Sequence, residues 1–305
     1  MPLRFSGHET FPCRYTWLPK AFRAIQNDPT IFADEEQAMV VLGVGKNMVR
    51  AIRFWMQVSG IVEVGELIGY RPSQFGLELF HHDPYLEDIR TLWLIHWKFS
   101  TQIEDPLFAW DFMFNRWQQP EISRTEVLRA FRKEADILER KLSDVTLAQH
   151  FDVFLHTYVP TRSPKGDIRE DNLDCPLVEL EIIHKIGETI LDGSGRREAL
   201  YAFRREAKPE ITPELFTYCL NEYWATRFRD ELSLSFRDVA IAPSSPGQVF
   251  KLPEWDLRER LTTIAQDSNG LFSYQESVVL EQILRQGQPH HMSLATVYNI
   301  EDIHA

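Results

Sequence analysis

The sequence predicts a mainly α fold with small β hairpins: an N-terminal winged helix-turn-helix, a helical central region and a C-terminal winged-helix-like module. Three observations carry this. A two-sided helix follows the glycine-containing turn Gly43-Val-Gly45, two short β-prone runs follow that helix, and capped apolar segments recur along the rest of the chain.

The first part, residues 1–82, holds a leader and the winged helix. Asp34-Glu35-Glu36 opens a helix whose apolar stretch, Ala38 to Leu42, ends at Gly43. At roughly 100° per residue, Lys46, Arg50, Arg53 and Gln57 of the next helix share one face, and Met48, Ile52, Trp55 and Val58 the opposite one. Beyond Gly60, Ile61 to Val64 and Leu67 to Arg71 flank Gly65-Glu66 as a hairpin, or wing. Helix, tight turn, second helix and wing is a DNA-reading arrangement, with the second helix in the major groove. It assigns Lys46, Arg50 and Arg53 to phosphates or guanine edges, Asn47 to adenine, and Gln57 and Arg71 to the same surface. The competing reading is a solvated face on a protein-docking module.

The leader, Arg4 to Pro19, is dense in aromatics, which implies an ordered segment packed on the body. Its adjacent His8 and Glu9 fit either acid/base or metal-ligand work, with Glu9 polarising the imidazole, or a structural hydrogen bond.

The second part, 83–206, begins after the break at His81-His82-Asp83-Pro84. An aromatic helix is expected over Asp88 to Phe99, followed by the segment Pro106 to Trp117 and a second helix from the capping box Ser123-Arg-Thr-Glu126 to about Leu142. Phe151 to Val159 alternates like a half-buried strand and carries Asp152. Glu170, Asp171 and Asp174 follow, a layout able to hold Mg²⁺ or Mn²⁺, which prefer oxygen ligands. Asp152 and Asp171 are the candidate catalytic acids, and Asp152, Glu170, Asp171 and Asp174 the candidate metal ligands; loop acids also serve as helix caps, Asp174 before Cys175-Pro176 above all. Asp192 to Gly195 reads as a turn.

The third part, 207–305, has a helix from Thr212 to Phe228, a short helix within Ser233 to Ala240, a loop at Pro243 to Gln248, a helix from about Glu254 to Gln266 and a frayed tail from Gln286. Ser245, Gln248, Lys251 and Arg258 are its candidate DNA contacts, diluted by Glu254, Asp256 and Glu259. No internal repeat of fixed period is present.

The 305 residues carry a formal net charge of -12, which argues against non-specific coating of nucleic acid and confines any DNA contact to patches. Cys13, Cys175 and Cys219 have no C-x-x-C spacing, so reduced, buried thiols are expected. No 18-residue apolar run and no signal pattern occur, so a cytoplasmic protein without membrane contact is expected. Phosphate-loop, dinucleotide, nucleophile-elbow and zincin motifs are absent, as is a Glu-x-Lys nuclease element.

Phe5-Ser-Gly-His-Glu-Thr-Phe11, Leu42 to Met48, Asp83 to Glu87 with Leu92-Trp-Leu94, Glu170 to Pro176 and Ser245 to Lys251 together resemble the SspB-type family over nearly the whole chain. That family is found beside DNA phosphorothioation genes. The resemblance implies a bacterial modification and phage-defence setting, a cysteine desulfurase and sulfur-transfer proteins as partners, and a DNA-nicking component. It supplies no active-site motif. Two functions follow: a metal-dependent nicking endonuclease acting on double-stranded DNA, or a non-catalytic DNA-reading adaptor that recruits sulfur-transfer enzymes. A homodimer is compatible with either.

Overall fold

The computed structural model describes residues 3–65, 69–160, 175–190, 195–277, 280–287 and 292–298. After the leader, α1 (Trp17–Asn27) packs against α2 (Glu35–Leu42) and α3 (Lys46–Val58). Asp34 caps α2 by accepting from the N–H groups of Glu36 and Gln37 at 2.9 and 3.1 Å. Gly43, at φ +65°, ends it in the left-handed region that a side chain disfavours. The next helix buries Val49, Ile52, Trp55 and Met56. Strands β1 (Val62–Val64) and β2 (Tyr70–Pro72) then pair antiparallel, Glu63 opposite Arg71.

Next come α4 (Gln74–His82), α5 (Ile89–Thr101) and α6 (Phe108–Asp111), which runs on into a wide turn at Phe112–Arg116. The central unit contains β3 (Ile122–Ser123), α7 (Arg124–Ile137) and α8 (Asp144–Tyr158). A 3-10 turn, Pro176–Leu180, leads to β4 (Ile183–Ile190) and β5 (Arg197–Phe203).

Two sequence expectations are corrected here. Phe151 to Tyr158 is helix, not strand: α8 is capped by Ser143, whose hydroxyl accepts from the Thr146 N–H, and it buries Leu147, His150, Phe151, Phe154 and Tyr158 at helical spacing. It is buried on most sides, so over a short run its apolar positions mimic a period of two. The central part is also not purely helical, because β3, β5 and β4 form a sheet in that order.

The last part comprises α9 (Pro213–Arg227), β6 (Ser233–Ser235), α10 (Phe236–Ala240), α11 (Pro246–Val249), α12 (Glu254–Asp267), β7 (Phe272–Glu276), β8 (Glu281–Arg285) and α13 (Ala295–Tyr298). Its sheet order is β6-β8-β7. Each of the two sheets thus pairs the strand before the helices with the second strand of the hairpin after them. That is an architectural repeat that no sequence period announces. Within the expected frayed tail the described residues 292–298 are anchored: the Leu294 N–H and Ser293 hydroxyl donate to Glu78, Arg90 donates to the Val297 carbonyl at 3.0 Å, and Tyr298 stacks on His82.

One contiguous apolar cluster runs through all three parts, with Trp55, Trp93, Trp97, Trp110 and Trp224 fully buried. At its centre Tyr158 accepts from Trp110 at 2.8 Å and meets His96 Nδ1 at 2.8 Å, while His96 Nε2 donates to the Val249 carbonyl. Every polar atom of this relay has a partner, and burial pushes His96 down to about 3, so it is neutral. No described helix is long and apolar enough to cross a membrane, and the three cysteines are buried, with no disulfide among the described residues.

Candidate nucleic-acid interface

The outward face of α3 carries a row of basic and amide side chains that the fold leaves uncovered. Lys46 and Asn47 are exposed in its first turn, and Arg50 and Arg53 are half-exposed one turn apart. This face borders an open groove of about 1280 Å³ that runs along the α2–α3 turn, with Lys46 and Arg53 in its wall.

The charge of the face is partly compensated from α2. Glu35 pairs with Lys46 at 2.9 Å and with Arg50 at 2.7 Å, and these two cations pull its carboxyl down to about 2. The uninterrupted basic run in the sequence did not reveal this acid, because it lies on the preceding helix. Arg53 makes no ion pair among the described residues, which leaves its guanidinium available to an incoming phosphate or base. Gln57 donates to the Tyr70 hydroxyl at 3.1 Å and so braces β2 against α3. Arg71 pairs with Glu63 across the hairpin at 3.0 Å, an exposed contact that a phosphate can exchange.

The leader packs directly behind α3. Arg4 pairs with Asp105 at 2.7 Å, and its strand-like bridge to Leu107 is closed by the Arg4 N–H to Pro106 and the Phe108 N–H to Arg4. Phe54 and Trp55 receive the next turn: Gly7 sits against the Phe54 ring, and the indole N–H of Trp55 donates to the Phe11 carbonyl at 3.0 Å.

Several sequence-predicted site residues are placed elsewhere. His8 is buried and pairs not with Glu9 but with His150, Nε2 to Nδ1 at 2.9 Å. Burial pushes it down to about 4, so it is a neutral structural group. Asp152 stands on α8 with both oxygens engaged by Arg124 at 3.0 and 2.9 Å. Glu170, Asp171 and Asp174 lie outside the described residues. Among the described residues no group of three His, Cys, Asp or Glu side chains is placed to hold a metal ion, so these do not fit a Mg²⁺ or Mn²⁺ centre.

Lys251 is no DNA contact: it is 1% exposed, donates to the Phe114 carbonyl and lies over the Phe203 ring at 4.5 Å. Its neighbours are engaged too, Ser245 as the buried cap of α11, Gln248 through its side-chain amide to Asn115, and Arg258 with Glu254 and Glu281.

A cavity that the sequence did not signal opens between α8, the Pro176–Leu180 turn and the β4–β5 ribbon. Its wall includes His156, His184, Lys185, Tyr201 and Arg204. The relevant clue was His156, one turn after Asp152 on one helix face, and it was lost when that run was read as a strand.

A mainly helical protein with small antiparallel sheets, one of them a hairpin after α3, is the class that this fold defines. The chain belongs to the family described as Protein of unknown function (DUF4007), whose model matches residues 5–299. Its fold is that of SspB. The magnesium ion-bound SspB crystal structure superposes with a TM-score of 0.81 at 23% identity, covering 95% of this chain and 86% of that one. A second SspB crystal structure gives 0.80 at 25% identity with the same coverage. A comparison with curated proteins found no match.

Proposed function

We propose that the protein reads double-stranded DNA through α3, as a component of a bacterial phosphorothioation and defence system that works with a cysteine desulfurase and sulfur-transfer proteins. The single observation that carries the DNA reading is the solvent-facing row Lys46, Asn47, Arg50 and Arg53 on a helix set between a tight turn and a hairpin, the order of a winged helix. The likeness to SspB and the residue resemblance supply the setting.

A second reading, single-strand nicking, is favoured by the magnesium ion in one SspB structure. That reading needs either residues beyond the described ones as metal ligands or an Asp152 carboxylate released from Arg124. The adaptor reading needs only the α3 face.

Fluorescence anisotropy with a labelled duplex tests the proposal. Arg53→Ala is expected to weaken binding by about 1 to 3 kcal/mol if the guanidinium reads a base edge. Unchanged affinity in a folded variant removes α3 as the reader. Plasmid relaxation with Mg²⁺ and with EDTA separates the nicking reading from the adaptor.

A further inference from the structure

The cavity beside α8 measures about 870 Å³, the size of a small-molecule site rather than of an ion site. One wall is apolar, built from Leu155, Val178 and Ile183, with the half-buried Tyr201 ring beside them. The other side is cationic. Arg204 lines it with a guanidinium held in place by the Leu180 carbonyl at 3.0 Å and by Glu210. Lys185 stands directly opposite Tyr201 in the β4–β5 register and is tied only to Glu188 at the surface, a pair readily exchanged for a ligand. His156 and His184 add two imidazoles to the same wall. Glu181 and Glu206 also border the cavity and limit the negative charge that it can take to one phosphate unit.

An aromatic platform beside a fixed guanidinium, a lysine and two imidazoles matches a flat ring joined to one phosphate. We propose that this cavity binds a single nucleoside monophosphate unit, with the phosphate on Arg204 and Lys185 and the base on Tyr201. The choice of a nucleotide over other aromatic phosphates rests on the DNA-acting reading above. The unit is either a free nucleotide or the 5′-phosphorylated end of a DNA strand.

Titration calorimetry of the full chain tests this with three probes: thymidine 5′-monophosphate, 5′-phosphorylated dithymidylate, and the same dinucleotide without its 5′-phosphate. The phosphorylated probes are expected to bind saturably. Lys185→Gln, a surface change, should weaken them at least fivefold, and Tyr201→Leu at least tenfold, whereas Arg53→Ala should leave them unchanged. A stronger response to the dinucleotide than to the mononucleotide assigns the site to a strand end; the reverse assigns it to a free nucleotide.

The proposal is overturned if neither phosphorylated probe binds at millimolar concentration, or if binding survives Lys185→Gln and Tyr201→Leu unaltered in variants of native melting temperature. Lys185-dependent nucleotide binding, together with duplex affinity that ignores Arg53→Ala, sinks the α3 reading and leaves the cavity standing.

Discussion

His8 Nε2 and His150 Nδ1 lie 2.9 Å apart with their rings stacked, joining the leader to a helix 142 residues away. The Ala109 N–H donates to His150 Nε2 at 3.0 Å and the Thr10 N–H points at His8 Nδ1 at 3.2 Å. Two neutral imidazoles carry two protons, and the two outer nitrogens already face backbone donors. The Thr10 contact, the longest of the three, is the one that yields. An added proton has no acceptor.

Acid should therefore loosen the leader. The folded pKa of His8, about 4, lies below the ordinary 6.5, and burial pushes His150 down as well. The unfolded chain binds more protons in that window, so this stability is complete above pH 6.5 and is lost as the pH falls toward 4. From the His8 shift alone the loss is about 3 kcal/mol. Melting temperatures from pH 7.5 to 4.5 should fall steeply below 6.5, and less steeply in His8→Gln. Parallel curves would remove the pair as the cause.

Glu35 holds Lys46 and Arg50, the two cations that the proposed DNA reading assigns to phosphates or base edges. Glu35→Gln should tighten duplex binding several-fold and steepen its salt dependence, since each cation released to phosphate displaces counterions. Anisotropy at two salt concentrations reads both effects. Equal affinities would mean that these two cations stay off the phosphates.

Gly7 has φ +115°, and a Cβ built there would stand 2.5 Å from the Phe54 ring. Gly7→Ala is expected to cost about 1 to 3 kcal/mol through the strained backbone and the displaced ring. Phe54 belongs to α3, so duplex affinity should fall along with the melting temperature.

Lys251→Ala separates burial from recognition. It deletes the buried stem, removes the ammonium group over the Phe203 ring and leaves the Phe114 carbonyl without that donor. A loss of about 2 to 4 kcal/mol is expected in chemical denaturation. DNA affinity, measured well below the melting point, should not change.

The N-terminal half of the architecture was legible because its signals are local. Asp34, Gly43 and the two-sided pattern from Lys46 to Val58 each fix backbone geometry within a few residues. What escaped was set by contacts distant in sequence. His150 as the partner of His8, Glu35 as the counter-charge of Lys46, and the burial of Lys251 depend on which surfaces meet. The central sheet was hidden for another reason: β3 has only two residues, and β4 is mostly exposed, so neither shows an apolar period.

Asp152 is where the sequence reading and the fold diverge most. As a strand residue beside loop acids it offered a metal ligand, but on α8 it meets Arg124 with both oxygens, at side-chain exposures of 39% and 46%. An exposed ion pair of this kind contributes at most about 1 kcal/mol, so Asp152→Asn should barely move the melting temperature. Any Mg²⁺-dependent relaxation of supercoiled plasmid should also proceed at the wild-type rate in the variant, because the carboxylate is committed to the guanidinium. Arg124→Gln provides the converse control by freeing the carboxylate without removing it. Nicking abolished by Asp152→Asn, with duplex binding intact, would return Asp152 to the catalytic centre and require Arg124 to swing away when metal and DNA bind.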